Sequence, residues 1–155
     1  MYTKYMMDSE TFYYFAYGMN TCPHIMDRHK VCIAVGPALL ENYHLVFRYH
    51  VSIDLGGKVH GVLWEINDDT LASLDIQEGY PRHYNRMSVK IKCNGEVFTA
   101  ITYIMNGDNL HTSFALLGPL PSEEYLRHMY NGYKAFRLPL EQLHDALTEI
   151  PEERQ

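Results

Sequence analysis

The dipeptide Asn94-Gly95 constrains this chain more than any other feature. It joins two runs rich in β-branched and aromatic residues, 84–93 and 96–105. Asn-Gly suits a type I′ turn, because that turn needs positive φ at both central positions. A two-residue turn fixes the register of the two strands it connects. Arg86 then faces Tyr103, and Tyr84 faces Met105. Tyr84 and Tyr103 become diagonal neighbours on one face of the sheet.

Other elements gather around this hairpin. Thr11 to Tyr17, TFYYFAY, reads as an aromatic strand that breaks at Gly18. A loop and a short helix around Pro23 to His29 follow. Tyr43 to Ile53 alternates apolar and polar residues and is expected to form one continuous strand, with the chain turning at Asp54-Leu55-Gly56-Gly57. Val59 to Ile66 is apolar on both faces, as a central strand would be. Asn67-Asp68-Asp69-Thr70 supplies helix-capping residues. The helix they start is expected to stop at Gly79, with Pro81 soon after. Two more helices are expected, one starting near Ser122 and one from Leu140 to Leu147, before a frayed PEERQ end. This order predicts an α+β fold with a mostly antiparallel sheet, able to curl into a small barrel. The length of 155 residues fits one domain, with a core over about 11–148.

Charge and composition exclude several classes. The formal charge is −6 without a Lys/Arg cluster, which argues against nucleic-acid binding. No apolar run is long enough to span a bilayer. MYTKYMMDSE lacks the pattern of a secretory leader, so a cytoplasmic location is expected. The three cysteines, Cys22, Cys32 and Cys93, suit a reducing compartment better than a disulfide framework. Cys22, His24, Asp27 and His29 match no metal-ligand spacing, so no metal is expected. Thirteen tyrosines suit either strand interiors or a polar small-molecule pocket.

Glu78 carries the clearest chemical signal. On a helix it falls on the stripe of Leu71 and Leu74, at the C-terminal end where the backbone dipole is negative. Burial and dipole both disfavour its charged form and raise its pKa. Such a carboxyl suits proton transfer near neutral pH. A glutamate leaning out past the last turn would give the same sequence. Tyr17-Gly18-Met19-Asn20 is a second candidate, since backbone N–H groups in a sharp turn can cradle an anion. An ordinary strand-to-helix turn has the same pattern. The third is the approach of Tyr84 and Tyr103 to the helix end that carries Glu78, though a plain cross-strand contact of aromatics also explains it.

Four stretches in order, FAYGMN, GVLWEI with LDIQEGYPRHYNR, TYIM and PSEEY, resemble landmarks of the γ-glutamylcyclotransferase and AIG2-like family. The resemblance runs from about residue 12 to residue 140. It implies a small mixed β-barrel flanked by helices. It also implies a reaction in which the α-amine of a γ-glutamyl group attacks its own γ-carbonyl, giving 5-oxoproline and a free amine or amino acid. Glu78 matches the family's catalytic glutamate. Tyr17, Gly18, Met19 and Asn20 match the loop that holds the substrate through backbone amides. Tyr84, Tyr103 and Tyr125 match its pocket tyrosines. Met19 stands where the family often has Ser, which is tolerable if that position acts through its N–H. The implied partner is a small γ-glutamyl molecule, with no cofactor or metal. A γ-glutamylamine-specific branch and a non-catalytic binding module on the same fold remain the alternatives, and both monomer and homodimer are compatible with the sequence.

Overall fold

The structure is a computed structural model that describes residues 10–48, 50–105 and 121–150. Its strands are β1 (Thr11–Ala16), β2 (Cys32–Phe47), β3 (Val51–Asn67), β4 (Tyr84–Cys93) and β5 (Glu96–Met105). They close into a barrel in the order β1-β3-β2-β4-β5. The neighbours β1–β3, β2–β3, β2–β4 and β4–β5 are antiparallel. A parallel contact between β1 and β5, Tyr14 beside Ile101, shuts the ring. Among the described residues four helices flank it: α1 (Pro23–Met26), α2 (Asp68–Glu78), α3 (Glu123–Phe136) and α4 (Leu140–Thr148). The expected mixed barrel with helices around it is the observed architecture.

The Asn94-Gly95 hairpin has the register expected of it: Tyr84 pairs with Met105 and Arg86 with Tyr103. Both turn residues have positive φ. α2 is capped by the Asn67 side chain, which accepts from the Thr70 N–H at 3.0 Å, and ends at left-handed Gly79. α3 is capped likewise by Ser122. In β3, Val62, Leu63 and Trp64 are all buried, because one face lines the barrel and the other lies under helices. Trp64 meets Phe136 of α3 edge to face, and Gln142 of α4 bonds the His60 backbone at both ends.

The second hairpin corrects the sequence reading. The chain does not turn at Asp54–Gly57; β2 ends at Phe47 and β3 starts at Val51. The alternation from Tyr43 to Ile53 misled because paired residues point to one face. Phe47 pairs with Val51 and Leu45 with Ile53, so the period of two runs unbroken through the three-residue link. Asp54–Gly57 instead sits inside β3. There Asn42, Gly56 and Gly57 take positive φ, and the register shifts between Glu41 and Tyr43. This is an irregularity that bends the long ribbon. Cys32 to Asn42, given no element from sequence, is the first part of β2. The helix expected to reach His29 stops at Met26. Tyr49 and the PEERQ end lie outside the described residues.

Candidate active site

One cavity of about 730 Å³ opens at the end of the barrel where β1 gives way to a 3₁₀ turn, Met19–Thr21. All eight residues singled out from sequence line it: Tyr17, Gly18, Met19, Asn20, Glu78, Tyr84, Tyr103 and Tyr125. They come from five separate parts of the chain. The run at 17–20 follows β1, Glu78 ends α2, Tyr84 starts β4, Tyr103 is near the end of β5, and Tyr125 is in the first turn of α3.

Glu78 is half-buried at the cavity wall, and burial raises its pKa to about 7. The ionised form loses hydration there, so the proton is held more tightly. Tyr14, Tyr17, Tyr84, Tyr103 and Tyr125 are raised as well, first by burial, with the Glu78 charge adding to each. The site therefore holds one carboxyl that titrates near neutral pH among phenols that keep their protons.

The loop at 17–20 is held by close packing. A Cβ on Gly18 would lie 2.6 Å from Val51 Cγ1 and 3.3 Å from the Tyr125 hydroxyl. Gly18 has φ −114°, so the need for glycine is one of space. Thr21 closes the turn by donating from its hydroxyl and its N–H to the Gly18 carbonyl, at 2.7 and 3.1 Å. From behind, α3 presses on the turn at Gly132, where a Cβ would meet Thr21 Oγ1 at 2.1 Å. Buried Asn20 donates to the Tyr14 hydroxyl at 3.0 Å, exchanges amide bonds with Gln77, and accepts from Trp64 Nε1 at 3.1 Å through its carbonyl. Backbone hydrogen bonds from Val51 and Met19 reach the Tyr125 hydroxyl.

The structure adds residues that sequence reasoning missed. Tyr14, His50, Val51, Gln77 and His83 also line the cavity. Tyr14 was hidden in TFYYFAY, where nearly every residue is aromatic and the two faces look alike. His50 and Val51 were hidden by the misplaced turn. Asp75 stands just behind the wall and accepts from the Tyr103 hydroxyl at 2.6 Å. Its signal was available: 71, 74, 75 and 78 form one helical stripe, and Asp75 is a carboxylate on it.

Among the described residues, no group of three His, Cys, Asp or Glu side chains is placed to hold a metal ion. His29 bonds Ser73 at 2.6 Å and Gln77 at 3.1 Å, and Cys22 is buried. No helix among the described residues is long and apolar enough to cross a membrane.

Known proteins share this fold. The family model described as gamma-glutamyl cyclotransferase, AIG2-like, matches residues 14–127. Gamma-glutamylcyclotransferases of Mus musculus and Homo sapiens are 30% and 31% identical, aligned over 86% of this chain and 76% of theirs. A solved structure titled gamma-glutamyl cyclotransferase superposes with a TM-score of 0.72 at 25% identity, covering 94% of this chain and 96% of that one.

Proposed function

The chain belongs to the gamma-glutamyl cyclotransferase, AIG2-like family, and from that premise we propose that it converts a γ-glutamyl group into 5-oxoproline, with Glu78 as the general acid/base. The observation that carries this reading is the Glu78 carboxyl, raised to about 7 by burial at the wall of a cavity sized for a small molecule.

The α-ammonium of the substrate has three protons. One stays on the nitrogen that enters the ring. Glu78 takes the others in turn and passes them to the departing nitrogen, which leaves as an ammonium. The bond between the α-nitrogen and the γ-carbonyl carbon forms, and the bond from that same carbon to the leaving nitrogen breaks. A carboxyl that titrates near 7 is half in each form at neutral pH, so it can both accept and donate. Ring closure also requires a folded glutamyl chain, and the walls of Tyr14, Tyr17, Tyr84 and Tyr103 favour that folding.

The γ-carbonyl oxygen gains negative charge during attack and needs donors. The Tyr125 hydroxyl, held on the cavity by the backbone bonds it accepts from Met19 and Val51, has its O–H available and suits that role. Within the 3₁₀ turn, Thr21 and Cys22 donate to Gly18 and Met19 carbonyls. The Asn20 backbone amide has no partner inside the turn and suits the substrate's α-carboxylate. Met19 would serve through its backbone, so its apolar side chain in place of the usual Ser is compatible with the role.

The test is release of 5-oxoproline from a γ-glutamyl amino acid, ε-(γ-glutamyl)lysine, a γ-glutamyl alkylamine and glutathione. The expected result is release from at least one by the wild type and loss in Glu78→Gln. The preferred substrate names the leaving group. A folded wild type that is inactive on all four would overturn the reading.

A further inference from the structure

The cavity's tyrosines divide by where their protons go. Tyr17 donates to the Tyr103 carbonyl, Tyr84 donates to the Val51 carbonyl at 2.6 Å, and Tyr103 donates to Asp75 Oδ1 at 2.6 Å. Each has placed its one proton on the protein, so toward a ligand it offers only lone pairs. Tyr14 and Tyr125 instead accept bonds from Asn20 and from the backbone, which leaves their O–H free to donate. The wall therefore has an acceptor side, which with Glu78 suits an ammonium, and a donor side, which suits carboxylate and carbonyl oxygens.

Tyr103 differs from the other two acceptors. Its proton goes to a carboxylate rather than a carbonyl, and that carboxylate does not line the cavity. Asp75 is itself held from the far side: Arg86 Nη1 stands 3.7 Å from Asp75 Oδ2, with its guanidinium 4.3 Å over the Tyr80 ring. Arg86 is directly opposite Tyr103 on the β4–β5 ladder, so the hairpin register sets the two side by side and Asp75 of α2 meets both. An aspartate can accept from Tyr103 on one oxygen while the other faces the Arg86 charge. An asparagine has one oxygen and one NH₂ group, and Arg86 attracts the oxygen. The NH₂ would then face Tyr103 and force its proton into the cavity.

Building on the cyclotransferase reading, we propose that Asp75, anchored by Arg86, is a positioning residue that keeps the Tyr103 proton out of the cavity, so that Tyr103 accepts a hydrogen bond from the α-ammonium of the γ-glutamyl substrate. Glu78 then meets an amine already oriented by Tyr103. Reversing one hydrogen bond to a charged group replaces an attraction with a clash.

The experiment compares wild type, Asp75→Asn, Tyr103→Phe, Asp75→Asn/Tyr103→Phe and Asp75→Asn/Arg86→Met. It measures kcat and KM on the best γ-glutamyl substrate and calorimetric binding of L-glutamine, a γ-amide with a free α-ammonium. Asp75→Asn is expected to lower kcat/KM by roughly tenfold or more. The loss should vanish in the Tyr103→Phe background, where no hydroxyl remains to misdirect. It should be largely recovered by adding Arg86→Met, because the amide can then turn its oxygen back to Tyr103. A structural ion pair would behave in the opposite way, with both double variants at least as impaired as Asp75→Asn. That result, or wild-type kinetics in Asp75→Asn, overturns the proposal. A wild type that binds L-glutamine but forms no 5-oxoproline overturns the reaction instead, and the same pattern across the variants, read in binding, then decides the role of Asp75. If it binds nothing and turns over nothing, both fall.

Discussion

Gly18 and Val51 approach so closely that a methyl group on Gly18 would lie 2.6 Å from Val51 Cγ1. The turn after β1 and the tip of the β2–β3 hairpin are thus two halves of one wall. Gly18→Ala is expected to cost about 1–3 kcal/mol of stability through overpacking. It should also lower activity, because the displaced loop carries Met19 and Asn20. Val51→Ala added to Gly18→Ala should recover much of the stability by opening the space. Thermal melts of the two variants and wild type check this, and equal melting points for Gly18→Ala and wild type would refute the packing argument.

Gly132 makes the same kind of contact from outside the site. A Cβ there would meet Thr21 Oγ1 at 2.1 Å and the Cys22 backbone nitrogen at 2.7 Å. Backbone atoms cannot rotate away, so α3 must move as a body. Tyr125 is on that helix and would move with it. Gly132→Ala should therefore reduce both melting temperature and kcat/KM although it touches no ligand. Loss of stability with wild-type kcat/KM would show that α3 does not set the position of Tyr125.

These contacts show where sequence reading succeeds and where it stops. The Asn94-Gly95 hairpin, the Asn67 cap and the Gly79 stop were legible because each depends on a local backbone preference. They place Glu78, Tyr84 and Tyr103 correctly. The β2–β3 turn was not legible, because an alternating pattern crosses a three-residue link without a break. Closure of the barrel through Tyr14 and Ile101 and the steric role of Gly18 depend on residues distant in sequence. Composition carries no trace of them. The tyrosines were legible as a group, but which of them donate and which accept was not, since partners such as Asp75 and Val51 are set by tertiary packing.

The pH dependence of turnover should follow Glu78. As the acceptor of the first proton it must start ionised, so kcat/KM should rise through an apparent pKa of about 7 and fall about tenfold per unit below it. Glu78→Gln should lower the rate by about 10²–10⁴-fold and remove this limb. The profile is measured on the preferred γ-glutamyl substrate. An unchanged limb in the residual activity of Glu78→Gln would assign it to another group.

The same carboxyl should make the fold pH-sensitive independently of any substrate. Its folded pKa of about 7 lies above the ordinary value of 4.5. Below the lower value both folded and unfolded chains hold the proton, and Glu78 imposes no penalty. Between the two values the unfolded chain ionises first, so stability falls as pH rises. Above about 7 both states are ionised, and the loss levels off at about 3 kcal/mol on the order-of-magnitude scale of pKa linkage. Glu78→Gln removes the titrating group while keeping its shape. The variant should therefore gain on wild type from pH 4.5 to pH 7.5, in denaturant melts taken at each pH. A constant difference between the two proteins across that range would mean that Glu78 ionises as freely in the folded protein as in the unfolded chain. The basis for its role as a proton carrier near neutral pH would be lost with it.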